Sequence, residues 1–319
     1  MDTGLIRALA AVLALFTLNV HAQPWPQRPV RVIVPFVAGG NTDSQARIVT
    51  ERLNELLGQP FVVENKVGAG GAIAAEYVVK SAPDGYTLFF GGSPQFALPL
   101  LQKVNFDPFK DFAPVSIVGT NPFVLGVHGS VPATTLNEFV DYVKARPGQL
   151  NYASAGAGTI THLTAALFLS RAGLQMTHVP YKGGAQASAD LLAGQVHMYF
   201  GNPSELMPHA ASGKIRLLAV SSAKRTPQLP DVPALAETYP GFATGTWNGF
   251  LAPTGTPPLI IDRLAHTVAK AVREPATAER LRKIGVEPVG NTPAEFAALV
   301  QREAPIWADA VKAAGIRAD

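Results

Sequence analysis

Three times in this chain a run that reads as a strand ends in a glycine-containing turn and gives way at once to a helical pattern, and the first of these runs is largely apolar and rich in β-branched residues. Val30 to Pro35 leads into Phe36-Val37-Ala38-Gly39-Gly40 and then Asn41 to Leu57. Leu150 to Ser154 leads into Ala155-Gly156-Ala157-Gly158 and a helix from Thr159 to Arg171. Met176 to Pro180 leads into Tyr181-Lys182-Gly183-Gly184 and a helix from Ala185 to Leu192. A strand that is apolar at consecutive positions is covered on both faces, and the helix that follows supplies the cover, so the next strand lies parallel to the first. The chain is therefore predicted to be α/β, with mainly parallel sheets flanked by helices.

Along Asn41 to Leu57 the residues Ala46, Val49, Leu53 and Leu56 share one face, and Gly58 followed by Pro60 closes the helix. Phe61 to Glu64 reads as a strand, Ala72 to Ser81 as a helix, and Pro83-Asp84-Gly85 as a turn into a strand from Thr87 to Gly91. Pro94 to Pro122 shows no regular pattern. The alternation then restarts, with strands expected at Phe123 to His128, Val196 to Phe200, Arg216 to Ser221 and Trp247 to Ala252. A final helix is announced by Thr292, Pro293 and Glu295, a capping box with proline at the first helical position. Its Phe296, Leu299, Val300 and Trp307 are expected to pack on the first lobe, with a kink at Pro305.

Single cores stop growing beyond about 250–300 residues. With 319 residues and a pattern that restarts, two lobes are expected. One comprises 23–124 and 250–319, the other 125–249, with crossings near Phe123 to Val127 and Trp247 to Leu251 acting as a hinge. Residues 1–22 read as an export signal: Arg7 precedes an apolar stretch from Ala8 to Val20, too short to span a bilayer well, and Val20-His21-Ala22 is a small-x-small site. Cleavage is expected after Ala22, and an uncleaved anchor is the alternative.

Composition removes several classes of function. There is no cysteine, which excludes disulfides, thiolate metal sites and cysteine nucleophiles. Charged residues make up 15% and the net charge is +3, with no basic stripe for nucleic acid. The histidines lack metal-ligand spacing, so neither metal nor cofactor is expected. Tyr152-Ala153-Ser154-Ala155-Gly156 approaches a nucleophile elbow, but Tyr152 stands where the motif needs glycine, and no Asp and His partners can be assigned to Ser154. Gly156-Ala157-Gly158 has Thr161 in place of the third glycine of the dinucleotide fingerprint.

What the glycine turns can do is receive an anion. The first N–H groups of a helix lack intrahelical partners and carry partial positive charge, and small residues let a ligand approach them. A hydrogen bond to a charged group contributes about 1.5–3 kcal/mol, and micromolar affinity requires about 8 kcal/mol, so several amides in an enclosed cleft suffice without an arginine. Asp43 is expected chiefly to cap its own turn and pair with Arg47 four residues on. His162 either donates to a carboxylate or orients a neighbouring backbone group, Lys182 is the one cation beside a glycine turn, and Phe36 and Trp247 are cleft walls or core.

The run Pro35-Phe36-x-Ala38-Gly39-Gly40-x-x-Asp43-x-x-Ala46-Arg47 resembles the opening signature of the Bug family of TctC-like receptors, the substrate-binding proteins of tripartite tricarboxylate transporters. Val63-Glu64-Asn65-Lys66, Pro83-Asp84-Gly85-Tyr86-Thr87-Leu88, Ser154-Ala155-Gly156-x-Gly158-Thr159-x-x-His162-Leu163, Pro180-Tyr181-Lys182-Gly183 and Leu229-Pro230-Asp231-Val232-Pro233 extend the likeness in order along the chain. The resemblance implies a two-lobed periplasmic-binding-protein (Venus-flytrap, type II) fold. It also implies a monomeric periplasmic receptor that delivers a small carboxylate to membrane permease subunits and performs no catalysis. A ligand sensor feeding a signalling system and a serine hydrolase at Ser154 are the competing readings. Carried over, the ligand contacts are Phe36, Ala38, Gly39, Gly40, Asn41, Asp43 and Ser93 on one side. Gly158, Thr159, His162, Gly183, Gly184 and Ala187 lie on the other. After Val196 to Phe200 many relatives place an aspartate, whereas this chain has Gly201-Asn202, and Asn202 joins the candidate contacts.

Overall fold

The computed structural model describes residues 25–315; the expected leader and cleavage site at 1–22 lie outside them. The chain opens with β1 (Val30–Val34), α1 (Asn41–Leu57), β2 (Phe61–Asn65), α2 (Ala72–Val79) and β3 (Thr87–Gly92). β1 lies between β2 and β3 and runs parallel to both. Val30, Val32, Ile33 and Val34 are fully buried, as a two-sided apolar run requires. The face of α1 that carries Ala46, Val49 and Leu53 is buried, and Gly58 ends the helix in the left-handed region at φ 71°.

After a short helix α3 (Ser93–Ala97) come β4 (Phe112–Asn121) and β5 (Val124–His128), followed by α4 (Leu136–Lys144), β6 (Asn151–Ser154), α5 (Ile160–Ala172) and β7 (Thr177–Pro180). α6 (Gly184–Leu192), β8 (Met198–Gly201), α7 (Pro203–Ala210) and β9 (Ile215–Val220) complete a second α/β unit. The chain then returns through β10 (Thr246–Pro253), α8 (Pro258–Arg273), α9 (Pro275–Lys283), β11 (Glu287–Pro288) and α10 (Pro293–Ala314). Among the described residues no helix is long and apolar enough to cross a membrane.

The strands form two sheets, ordered β11-β4-β10-β3-β1-β2 and β7-β6-β8-β5-β9. Apart from the edge strand β11 the two orders are the same. In each, the strand arriving from the other sheet, β10 or β5, is inserted antiparallel beside the third strand of a parallel set. The remaining strands of that common pattern point one way, so the expected mainly parallel α/β architecture is present twice.

Two sequence expectations are corrected. The stretch read as irregular contains β4, ten residues long and bonded along its length to β10. Pro114 concealed it, since proline inside a run argues against a central strand. Here the register of the pair shifts between Phe250 and Leu251, opposite Pro114, and on the other side β11 reaches only Gly119 and Thr120. The missing N–H therefore falls at an irregularity and an open edge. The last helix also does more than pack on the first lobe. Phe296 and Val300 join a cluster with Ile117 and Trp247, but Trp307, Ala310 and Val311 join the core of Leu163, Leu167 and Phe168. α10 therefore straps the two units together.

The two crossings run side by side and are fastened by Ser221, which is fully buried. Its N–H donates to the Phe123 carbonyl at 2.9 Å, and its hydroxyl accepts the Phe123 N–H at 2.9 Å while donating to the Thr244 carbonyl at 2.6 Å. The Thr244 N–H returns to the Ser221 carbonyl at 2.8 Å. Replacing Ser221 with alanine strands a buried donor and a buried acceptor, so Ser221→Ala is expected to lower unfolding stability by about 1–3 kcal/mol in urea titration.

Candidate functional site

The first glycine turn opens to solvent at Val37, Ala38 and Gly39, with Phe36 and Gly40 half-buried. Gly40 is the N-cap of α1 and supplies no side-chain cap, so the first N–H groups of the helix are left to other partners. Asp43 holds the turn from behind. Its Oδ2 accepts the Gly39 N–H at 2.8 Å and Arg47 Nε–H at 2.9 Å, and its Oδ1 accepts Asn65 Nδ2–H at 2.9 Å. Burial opposes ionisation of this nearly inaccessible carboxyl, but Arg47, the Gly39 N–H and Asn65 together outweigh it and hold the pKa below the ordinary aspartate value. Capping with pairing is thus the observed role, with the Gly39 N–H donated to the carboxylate.

Asn41 and Ser93 are likewise engaged in the structure. Asn41 donates to the Ile284 carbonyl at 3.0 Å and accepts Gln45 Nε2–H at 2.6 Å. Gln45 also donates to Asn121, whose own amide donates to the Gly285 carbonyl at 2.8 Å. Ser93 is fully buried and its hydroxyl donates to the Gly245 carbonyl at 3.4 Å. From this side, the groups left for a ligand are mainly the peptide N–H groups at the start of α1 and the rim of Phe36 and Ala38.

In the second unit, Thr159 caps α5, its hydroxyl donating to the Gly156 carbonyl at 2.7 Å and accepting from the His162 N–H. His162 is 5% exposed, and its Nδ1 accepts the Gly158 N–H at 3.1 Å. Its ring stacks on His178 with centroids 3.8 Å apart, and Tyr152 stacks on His178 at 4.9 Å. Of the two roles open to His162 in the sequence, the one that orients backbone is present in the structure. Burial, then the neighbouring His178, lower its pKa to about 4.

Ser154 has a histidine that the sequence could not assign, with Oγ 2.7 Å from His178 Nε2. The serine is fully buried, and its hydroxyl also lies 2.9 Å from the Gly156 carbonyl and 3.2 Å from the Gly156 N–H. The pair is thus built into the turn.

At the third turn Gly183 is the N-cap of α6 with φ 153° and again no side-chain cap. Lys182 is exposed, and Ala187 is fully buried in the core beside Leu191 and Tyr199, so its methyl group packs inward and offers the cleft nothing. A side chain on Gly184 would collide with the carboxylate of Glu205. Glu205 was not singled out from sequence. It accepts from the Asn202 backbone N–H and side-chain amide, each at 3.1 Å, and from the Tyr199 hydroxyl at 3.1 Å. The signal was present in Asn202-Pro203-Ser204-Glu205, a capping box with proline at the first helical position like the one recognised at Thr292. At the wall that follows β8 the carboxylate comes from Glu205, and Asn202 serves as its donor.

Two chains of contact bring the turns of the two units together. Asn41 bonds Ile284, and a methyl group on the adjoining Gly285 would lie 3.4 Å from Pro203, next to Asn202 and Glu205, which abuts Gly184. Ser93 begins the segment that continues to Leu101, and a methyl group on Gly158 would lie 3.6 Å from Leu101.

His162 ties this geometry to pH. Its folded pKa of about 4 lies below the unfolded value of 6.5, so the unfolded chain binds more protons between those values. Its contribution is complete above pH 6.5 and lost as the pH falls towards 4, and the shift corresponds to roughly 3 kcal/mol. His178, also lowered by burial, acts in the same direction. Urea unfolding between pH 7 and 4 is expected to show this decline, and His162→Gln is expected to flatten it.

Residues 45–316 match the family model described as the tripartite tricarboxylate transporter family receptor. Protein BugT of Bordetella pertussis is 36% identical over 319 residues, covering 97% of this chain and 98% of the relative. A UPF0065 protein in the tcbD-tcbE intergenic region of Pseudomonas sp. (strain P51) is 36% identical, covering 96% and 93%. Among solved structures, R. palustris Rpa4515 with adipate shares 39% identity at a TM-score of 0.83, over 92% of this chain and 100% of the other. MatC from Rhodopseudomonas palustris with bound malate shares 36% at 0.78, over 90% and 100%. This chain, with its paired sheets and glycine-turn helix starts, belongs to the tripartite tricarboxylate transporter receptor family.

Proposed function

We propose that the protein is a periplasmic receptor that closes on a small carboxylate between its two α/β units and presents it to membrane permease subunits. The observation that carries this reading is the pair of helix starts at Gly40 and Gly183, on opposite sides of the crossings and both without a side-chain cap. Each offers N–H donors and positive dipole to an anion, worth roughly 0.3–1 kcal/mol from the helix and about 1.5–3 kcal/mol per hydrogen bond. The adipate and malate held by the two R. palustris relatives are anions of that kind. In this reading Phe36, Ala38, Gly40 and the Asn41 N–H contact the ligand from one side, and Gly158, Thr159, Gly183 and Gly184 from the other. Closure turns on the segments joining β4 to β5 and β9 to β10, and residues 1–22 direct export and are removed after Ala22.

A thermal-shift panel of adipate, malate, other mono-, di- and tricarboxylates, and neutral analogues tests the ligand class. A carboxylate present at 100 times its Kd adds roughly 2.7 kcal/mol of stability, and a panel in which only neutral compounds raise the Tm would overturn the reading. Gly40 has an ordinary extended backbone, φ −69° and ψ 168°, and an added Cβ would meet the Val37 carbonyl at 3.3 Å, a close contact that the exposed turn has to relieve by a small shift. Gly40→Val is expected to weaken carboxylate binding at least about tenfold, while costing about 1 kcal/mol or less in stability; equal effects on both would mean that the glycine serves only the turn.

A further inference from the structure

Beside α10, away from the glycine turns, lies a cavity of about 500 Å³. Its walls include Phe96, Phe106, Phe109, Trp247 and Trp307, and none of the candidate carboxylate contacts lines it. Into this aromatic enclosure projects Glu303. Its Oε2 accepts Trp247 Nε1–H at 2.8 Å and Trp307 Nε1–H at 3.4 Å. Among the described residues Oε1 accepts no hydrogen bond, and no cation pairs with the carboxylate. Of the other charged side chains on the lining, Asp107 is paired with Lys110 at 2.9 Å and Lys103 is exposed at the rim.

A carboxylate partly removed from water is costly unless a cation or further donors compensate it, and two neutral indole N–H groups on one oxygen do so only in part. Burial accordingly raises its pKa, and the indole hydrogen bonds and the charge of Arg302 oppose that rise. The surroundings supply what an ammonium group prefers: aromatic faces for cation–π attraction and an apolar chamber for a hydrocarbon body. We propose that this cavity is a second binding site that takes a small organic cation, a primary alkyl- or arylalkylammonium whose N–H groups bond Glu303 and whose apolar end lies among the phenyl rings.

The position gives such a ligand a mechanical role. Trp247 stands on the crossing strand β10, whereas Trp307 packs into the core of the second unit, so one carboxylate already joins a crossing to the α10 strap. An ammonium ligand on Glu303 tightens that junction.

Phenethylamine and hexylamine are the probes, with 2-phenylethanol and phenylacetate as neutral and anionic matches. Only three tryptophans occur in the chain and two of them hold Glu303, so intrinsic fluorescence reports the site and calorimetry gives the affinity. At neutral pH and millimolar concentration the amines are expected to change the emission and bind at least about tenfold more tightly than the alcohol or the acid. Glu303→Gln keeps an acceptor for the indoles but removes the charge, and is expected to lose that preference while leaving carboxylate affinity at the glycine turns unchanged. Ala304→Leu, which fills the chamber from its lining, is expected to abolish amine binding in a folded protein. Absence of amine binding, equal binding of 2-phenylethanol, or an amine preference that survives Glu303→Gln would overturn the proposal.

Discussion

The N–H groups that open α1 and α6 have no side-chain cap, while the first of these turns is tightly held, and much of the local structure follows from this combination. A serine or aspartate at the N-cap would stabilise each helix but would occupy those donors. In the first turn Asp43 resolves the conflict from inside the helix. It reaches back to Gly39, sideways to Arg47 and across to Asn65, whose amide also donates to the Phe36 carbonyl at 2.9 Å. Strand end, turn and helix become one body, and Gly40 is left uncapped.

The second unit meets a similar demand with neutral groups. Ser154, Thr159, Thr161, His162 and His178 tie the Gly156 to Gly158 loop, with Ser154, Thr161 and His162 buried. The difference has an electrostatic consequence. The Asp43 arrangement survives until acid conditions protonate a carboxyl already held below its usual range, whereas the histidine arrangement depends on rings that burial keeps neutral. One turn is held by charge and the other by its absence.

The common strand order of the two sheets determines where motion can occur. Because β5 and β10 are inserted inside their sheets, the crossings enter at the centre of each unit, and Ser221 binds the two together. A hinge of this kind bends at a few residues rather than sliding along a surface. The strap formed by α10 adds a third tie at the side, through indole rings that share Glu303. Opening therefore has to accommodate a buried hydrogen-bonded junction as well as the two crossing segments.

The sequence alone determined the features whose causes are local. Strand runs, helix faces, the glycine turns and the Asp43 to Arg47 pair all follow from periodicity or from a spacing of four residues, and the chain's motifs carried its family. Only the tertiary structure decided which polar groups at those turns are already satisfied. The partners that decide it lie far along the chain: Asn65 for Asp43, Ile284 for Asn41, His178 for Ser154. It also decided the sides on which β4 and Trp307 are buried, because Pro114 is tolerated only opposite the register shift in β10, and the far end of α10 meets a core built by residues more than a hundred positions earlier. A hydrogen bond or an apolar contact is settled by which surface arrives next to it, and the pattern of one segment does not contain that information.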